Sequence, residues 1–445
     1  MPQFILNELR AFMDDRESVT IKVSTLDTFE FKEYGKQFCL KGRGPVIDAC
    51  SNFFMRAITL CDNSSTTSCT SGLVNRTINM ASSMQRLCRY GIRLLPAVST
   101  SSQYLSRSFG VSSIKNASTY KAAVLQEFGQ DLVMQDLKRK AIKQGQVRVA
   151  VHSCGVNASD LLMMENKYDQ EFKLPFVPGF EICGEVIEIG EGVQNVAIGS
   201  RVIGINKETL GGFAEECVVS QQDVWMVDHA VGFDTGAALV DAYATSLIGL
   251  QRRAGVQENS TVLITAAAGG LGLAAVDLAA NVYKAKVIGV CGTEDKADLV
   301  RKKGAWSALK YNKKHILAKV NEVTNGKGVD IIFDAVGGDV FNDCLHCVAH
   351  EGSVIVAGFA SRVIPHIETS QLLPKAVSLI GLSLTHYRDA NNTVYRQVVE
   401  DVIDMHEMGL IKPHISALFK LEDCKSAFTF MTERMSTGKV VLEIQ

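Results

Sequence analysis

The chain has 445 residues, room for two or three domains of roughly 100–200 residues each. Its hydrophobic (47%) and charged (21%) fractions are those of an ordinary soluble globular protein and exclude disordered or fibrous classes. A net charge of -2 offers no global positive field to nucleic acid or an anionic membrane, so neither is an expected partner.

Residues 1–79 form an N-terminal extension of unassigned role that carries acids such as Asp14, Asp15 and Glu17. From Asn63 to Gln126 there is no Asp or Glu, while Arg86, Arg89, Arg93 and Arg107 stand among serines and apolar residues. That is the composition of a mitochondrial transit peptide. Met80-Ala-Ser-Ser-Met-Gln-Arg-Leu-Cys-Arg-Tyr fits a basic amphipathic helix drawn to an anionic membrane. Arg107-Ser-Phe109-Gly-Val-Ser112 resembles a matrix-processing site that would leave a mature start near Ala117. The expectation is therefore a targeting segment over 80–117, initiation at Met80 and a mitochondrial matrix location. The competing reading is a disordered basic linker, with a cytoplasmic location if residues 1–79 mask the targeting segment.

From Tyr120 the pattern becomes compact. Ala122-Ala-Val-Leu125, Gln146-Val-Arg-Val-Ala-Val-His152 and Gly184-Glu-Val-Ile-Glu-Ile-Gly190 predict short strands of a β-rich domain. Beyond Thr261, the runs Val262-Leu-Ile-Thr265, Val287-Ile-Gly-Val290, Val329-Asp-Ile-Ile-Phe333 and Val354-Ile-Val-Ala357 alternate with helix-like stretches, which predicts a doubly wound parallel sheet. The apolar stretch Val262 to Ala280 is long enough to raise a membrane helix. Asp277 and the glycines at 269, 270 and 272 break it into strand, turn and helix instead. Val398, Val402 and Met405 predict a helix over Val394 to Met408, and Lys439-Val-Val-Leu-Glu-Ile444 a closing strand. The twelve cysteines lack the dense spacing of a secreted scaffold and read as thiols in a reducing compartment. The pair Cys344-Leu-His-Cys347 falls in a helix-like stretch and reads as a buried face.

The segment Ala266-Ala-Ala268-Gly269-Gly270-Leu271-Gly272 lies between a strand and an apolar helix. A pyrophosphate needs backbone N–H groups at close range and the positive end of a helix dipole, and glycines clear that approach. The first glycine of the usual dinucleotide fingerprint is replaced by alanine, but the order strand, turn, helix, strand is the required one. About twenty residues on, an NAD site presents an acid to the ribose. Here the strand end reads Ile288-Gly-Val-Cys291-Gly-Thr293, without a carboxylate, and Lys296 follows. NADPH is the expected cofactor.

Cys154-Gly-Val-Asn157, Leu174-Pro-Phe-Val-Pro-Gly-Phe-Glu181, the turn Thr265 to Gly272, Asp334-Ala-Val-Gly-Gly-Asp-Val-Phe341 and Ser436-Thr-Gly-Lys-Val440 together resemble the quinone oxidoreductase, or zeta-crystallin-like, branch of the medium-chain dehydrogenases/reductases. The resemblance spans about Tyr120 to Gln445. It implies an α/β protein with a GroES-like β-rich catalytic domain from residues 118–242 and 385–445, and a Rossmann domain at 243–384 between them. It implies that Tyr311 joins Lys296 near the adenosine phosphate and that Thr245 lies near the nicotinamide; Thr293 is a further expected cofactor-binding residue. The positions that hold catalytic zinc in metal-dependent relatives carry Asn157, Phe180 and Asp241, so no metal is expected, since phenylalanine has no lone pair to donate. It also implies that Ala376 to Leu384 is an edge strand pairing across a homodimer.

Without a metal, the charge that collects on a reduced carbonyl oxygen needs hydrogen-bond donors. The resemblance implies Asn157, positioning the carbonyl or ribose, and Tyr168, polarising or protonating. The expected substrate is a quinone or a small α,β-unsaturated carbonyl compound, because an unactivated ketone would need a Lewis acid. A mitochondrial enoyl-thioester reductase and a non-catalytic NADPH- or RNA-binding protein are the rival readings. Mapping the amino terminus of the endogenous protein is expected to find a start near Ala117; a mature chain that retains Met1 overturns the targeting expectation.

Overall fold

The computed structural model describes residues 118–445 in full and, ahead of them, the backbone of three strands, Thr20–Thr25, Thr28–Glu33 and Lys36–Lys41. These three pair in sequence as an antiparallel ribbon. The targeting segment 80–117 and the rest of the N-terminal extension lie outside the described residues.

The first large sheet draws on both ends of the region 118–445. Its strands run in the order Val224–Met226, Arg201–Ile205, Glu181–Ile189, Gln146–Val156, Lys439–Glu443, Ile415–Lys420, with Glu216–Ser220 also pairing to Gln146–Val156. The central strand is buried on both faces. Val147, Val149, Val151, Cys154 and Val156 share one core with Ile182, Phe213 and Phe428. Gly184 allows the close pairing: a Cβ there would lie 2.0 Å from the Ala150 carbonyl oxygen. The last strand of the chain enters beside it in antiparallel register, Val440 opposite Val156. A separate hairpin, Thr119–Val124 with Val133–Lys138, accounts for the predicted first strand.

The second sheet is parallel throughout and has six strands: Ser307–Lys310, Lys286–Cys291, Thr261–Ile264, Val329–Asp334, Val348–Val356 and Ser378–Gly381. Counted along the chain, they lie third, second, first, fourth, fifth, sixth. This is the doubly wound order, and it places a crevice where the first and fourth strands part. Helices cover the faces, so the inner strands can be apolar on both sides; Val262, Leu263 and Ile264 are fully buried. Thr265 and Asp334 close the carboxyl ends of those two strands. The Thr265 hydroxyl donates to Asp334 Oδ1 at 2.6 Å, and Asp334 accepts the N–H of Gly337 at 2.8 Å.

The stretch Val262 to Ala280 is a strand, a turn and the helix Gly270–Asp277, extended by the wider turn Leu278–Val282. Among the described residues no helix is long and apolar enough to cross a membrane. The closing helix is Asn392–Glu407 and the closing strand Lys439–Glu443, as the periodicity predicts. Cys344 and Cys347 are both buried, at the end of helix Gly338–Leu345 and in the turn that follows it.

The edge strand is shorter than the apolar run suggests. Ala376 to Leu384 contains the strand Ser378–Gly381 only, because Ser383 caps a new helix, Leu384–Ala390, by accepting the His386 N–H at 3.2 Å. That strand pairs with Val348–Val356 on one side, and Leu379 on it is 41% exposed, with Leu373 just before it at 79%. The same short helix ties the two sheets together. Arg388 grips the buried Asp223 through two N–H···O contacts of 2.7 Å, and Tyr395 donates to Asp223 at 3.1 Å.

Candidate active site

The phosphate turn occupies the crevice of the parallel sheet. Ala266 leaves the first strand with φ of 45°, and its carbonyl accepts the Gly269 N–H at 2.8 Å, which folds the chain back into helix Gly270–Asp277. The first N–H groups of any helix lack intrahelical acceptors, so those at Gly270, Leu271 and Gly272 form the donor rim. Gly272 is obligatory, since a Cβ would lie 2.2 Å from the Ala266 carbonyl oxygen. At Gly270 a Cβ would come within 3.3 Å of the Gly438 oxygen. The Gly438 N–H donates to Ala268 at 2.7 Å, so the start of the last strand docks on the turn. A glycine-floored cradle at a helix N-terminus fits a dinucleotide pyrophosphate.

Thr293, Lys296 and Tyr311 come to one edge of the parallel sheet. Cys291 ends the second strand, buried, with burial pushing its thiol up to about 11. No carboxylate stands in its place. Thr293 caps the next helix, accepting the Lys296 N–H at 3.4 Å. The Lys296 ammonium donates to the Arg434 and Ser436 carbonyls at 2.7 and 3.0 Å, and burial pulls its pKa below the ordinary lysine value. Tyr311 is brought in by its N–H, which donates to the Cys291 carbonyl at 2.8 Å. Its hydroxyl, however, donates to Asp343 at 2.6 Å, and that contact raises the phenol to about 12. The acidic partner is the feature that sequence reasoning missed at this edge.

Thr245 lies half-buried on helix Val240–Leu247, which packs against the helix of the phosphate turn; the neighbouring Ser246 donates to the Leu271 carbonyl at 3.3 Å. Asn157 caps helix Ala158–Met164. Its Nδ2 donates to Glu181 at 3.1 Å and its Oδ1 accepts from Lys439 at 2.6 Å. Lys439 also pairs with Glu181 at 2.6 Å, and Glu181 accepts the Asp241 N–H at 3.0 Å. Below them Asp160 is fully buried, and burial lifts its carboxyl to about 7 against hydrogen bonds from the Asn157 and Gly179 N–H groups.

Tyr168 is partly buried, four residues beyond the helix that Asn157 caps. Burial raises its phenol pKa, and Lys207 opposes that rise. Lys207 itself pairs with Asp241 at 2.5 Å and holds its ammonium 4.7 Å from the centre of the Phe180 ring. Burial lowers the Lys207 pKa, but Asp241, Tyr168 and Glu181 outweigh it and leave the group raised and protonated. Glu181 and Lys439 stand inside the motifs Leu174 to Glu181 and Ser436 to Val440, but nothing local links them. Lys207 lies in no motif.

The three positions assigned to zinc in metal-dependent relatives do not fit the ion. Phe180 has no donor atom, Asp241 is held by a lysine, and the Asn157 amide oxygen, its one lone-pair donor, accepts from Lys439.

A family model described as zinc-binding dehydrogenase matches residues 270–403, and one described as alcohol dehydrogenase GroES-like domain matches 143–238. The chain is 44% identical over 326 residues to the quinone oxidoreductase-like protein 2 homolog of Nematostella vectensis, covering 73% of this chain and 89% of that protein. It is 37% identical over 326 residues to quinone oxidoreductase-like protein 2 of Bos taurus, covering 73% and 93%. Among solved structures, a quinone oxidoreductase of Pseudomonas syringae pv. tomato matches with a TM-score of 0.68 at 27% identity, over 73% of this chain and 99% of that one. A mycobacterial protein complexed with NADPH matches with 0.67 at 27% identity, again over 73% and 99%.

Replacing Lys296 with alanine is expected to raise the Michaelis constant for NADPH far more than that for NADH. Steady-state kinetics with both nucleotides checks this, and equal changes remove Lys296 from the phosphate site.

Proposed function

The chain belongs to the quinone oxidoreductase-like family of medium-chain dehydrogenases/reductases, and from that premise we propose that it is an NADPH-dependent, zinc-independent reductase of quinones or α,β-unsaturated carbonyl compounds. The observation that carries the reading is the pairing of a glycine-floored phosphate turn with a cleft whose metal positions are filled by Phe180 and the Lys207–Asp241 ion pair. NADPH is supported by Lys296 beside Cys291 and by the NADPH-bound structural relative.

Bound at this edge, NADPH supplies the hydride. The residues of the chain do the rest. The N–H rim from Gly270 to Gly272 and the Lys296 ammonium orient the nucleotide, with Thr245 beside its reactive end. Phe180 is fully buried, and its ring backs the Lys207–Asp241 pair. Asn157, locked by Glu181 and Lys439, fixes the acceptor or the ribose, and the Tyr168 hydroxyl supplies a proton. A conjugated acceptor suits such a site because its developing charge is spread before it reaches oxygen. The acid-free, arginine-bearing segment 80–117 supports a mitochondrial location for this activity.

Purified protein is expected to oxidise NADPH with at least one quinone or enal, to keep that activity after chelation, and to contain no stoichiometric zinc. Tyr168→Phe is expected to slow the chemical step by about 10²-fold or more. NADPH binding without turnover across a broad panel overturns the enzymatic reading. We propose further that the exposed strand Ser378–Gly381 pairs with its copy across a twofold axis. Sedimentation at micromolar concentration is expected to show a dimer, and a monomer there rejects the pairing.

A further inference from the structure

We propose that the Lys207 ammonium is the cation that meets the substrate's carbonyl oxygen, standing in this chain where a metal-dependent relative holds its ion. The inference rests on the reductase reading above. Lys207 follows the strand Arg201–Ile205 on an otherwise exposed turn, yet its side chain is drawn inward until only 11% is exposed. Its Nζ lies 2.5 Å from Asp241 Oδ1 and 4.7 Å from the centre of the Phe180 ring. One ammonium therefore touches the side chains at two of the three metal positions. The positive charge of Lys207 works against the rise that burial causes in the Tyr168 phenol pKa.

The Asn157 amide and the backbone of Asp241 are held separately, by Lys439 and Glu181. An ammonium has three donors, and Asp241 occupies one side of it. During reduction the β-carbon of the acceptor receives hydride from NADPH, the C=C electron pair moves, and charge collects on the oxygen as an enolate. An N–H of Lys207 donates to that oxygen and keeps its proton. The α-carbon takes its proton from the Tyr168 hydroxyl, which water replenishes, leaving NADP⁺ and the saturated carbonyl compound. A desolvated charged donor aimed at a forming oxyanion contributes more than it would in water.

The full chain, saturated with NADP⁺, is titrated with 4-nitrophenol, whose colour reports phenolate. Lys207→Met alone strands the Asp241 charge, so the informative pair is Asp241→Asn and the double variant Lys207→Met/Asp241→Asn. Binding of NADPH, followed by its fluorescence, is expected to be the same in all forms and shows that they fold. Wild type and Asp241→Asn are expected to bind the dye as phenolate, and the double variant to bind it roughly 10- to 100-fold more weakly, with kcat for quinone falling more than KM rises. Equal phenolate binding in both variants, or equal loss in both, overturns the role of Lys207 while turnover by the wild type keeps the reductase reading. Selective loss of phenolate in the double variant, with no turnover by the wild type on any acceptor, supports the oxyanion contact and rejects the reductase reading.

Discussion

The buried ion pair between Lys439 and Glu181 is the interaction on which the arrangement of the site depends. Both side chains are almost wholly out of water, at 5% and 0% exposure. Such a pair gains little unless further hydrogen bonds satisfy it, and losing one partner of such a pair costs about 3–5 kcal/mol because the other charge is stranded. Here the further bonds are the site itself: the two ends of the Asn157 amide and the Asp241 N–H. The partners lie 258 positions apart in sequence. The cleft is therefore complete only when the last strand of the chain has paired with the strand that ends at Val156.

That same C-terminal segment reaches the cofactor edge. The Arg434 and Ser436 carbonyls aim the Lys296 ammonium, Gly438 holds the phosphate turn at Ala268, and Lys439 enters the acidic hub. A span of six residues, Arg434 to Lys439, thus reaches Lys296, the glycine turn and the Asn157–Glu181 hub. Gly438 is constrained to its role by a positive φ of 58° and by the His414 carbonyl oxygen, which a Cβ would meet at 2.2 Å. The Arg388–Asp223 clamp adds a second, independent tie between the two sheets.

What could be read from the sequence was whatever depends on short range. Strand periodicity, the order of elements around the glycine turn and the thiol at the end of the second parallel strand all appear in the fold. The run Ala376 to Leu384 was over-read as a strand because apolarity alone does not register the cap at Ser383, which starts a helix inside it. Tyr311 reached its edge, but the carboxylate that takes its hydroxyl comes from 32 residues away. Lys207 escaped notice for a related reason. A lysine on a polar turn looks solvated until tertiary packing sets Asp241 and Phe180 against it.

Ala266 shows how the phosphate turn is given its shape. An L-residue at a φ of 45° costs about 1–2 kcal/mol relative to the right-handed conformation, yet its neighbours leave it no alternative: the Thr265 N–H is fastened to the Phe333 carbonyl at 3.0 Å and the Ala267 N–H to Val290 at 3.1 Å. That tension is absorbed when the sheet assembles, long before any nucleotide arrives. The arriving phosphates meet a mould already set, and the freedom they surrender is their own.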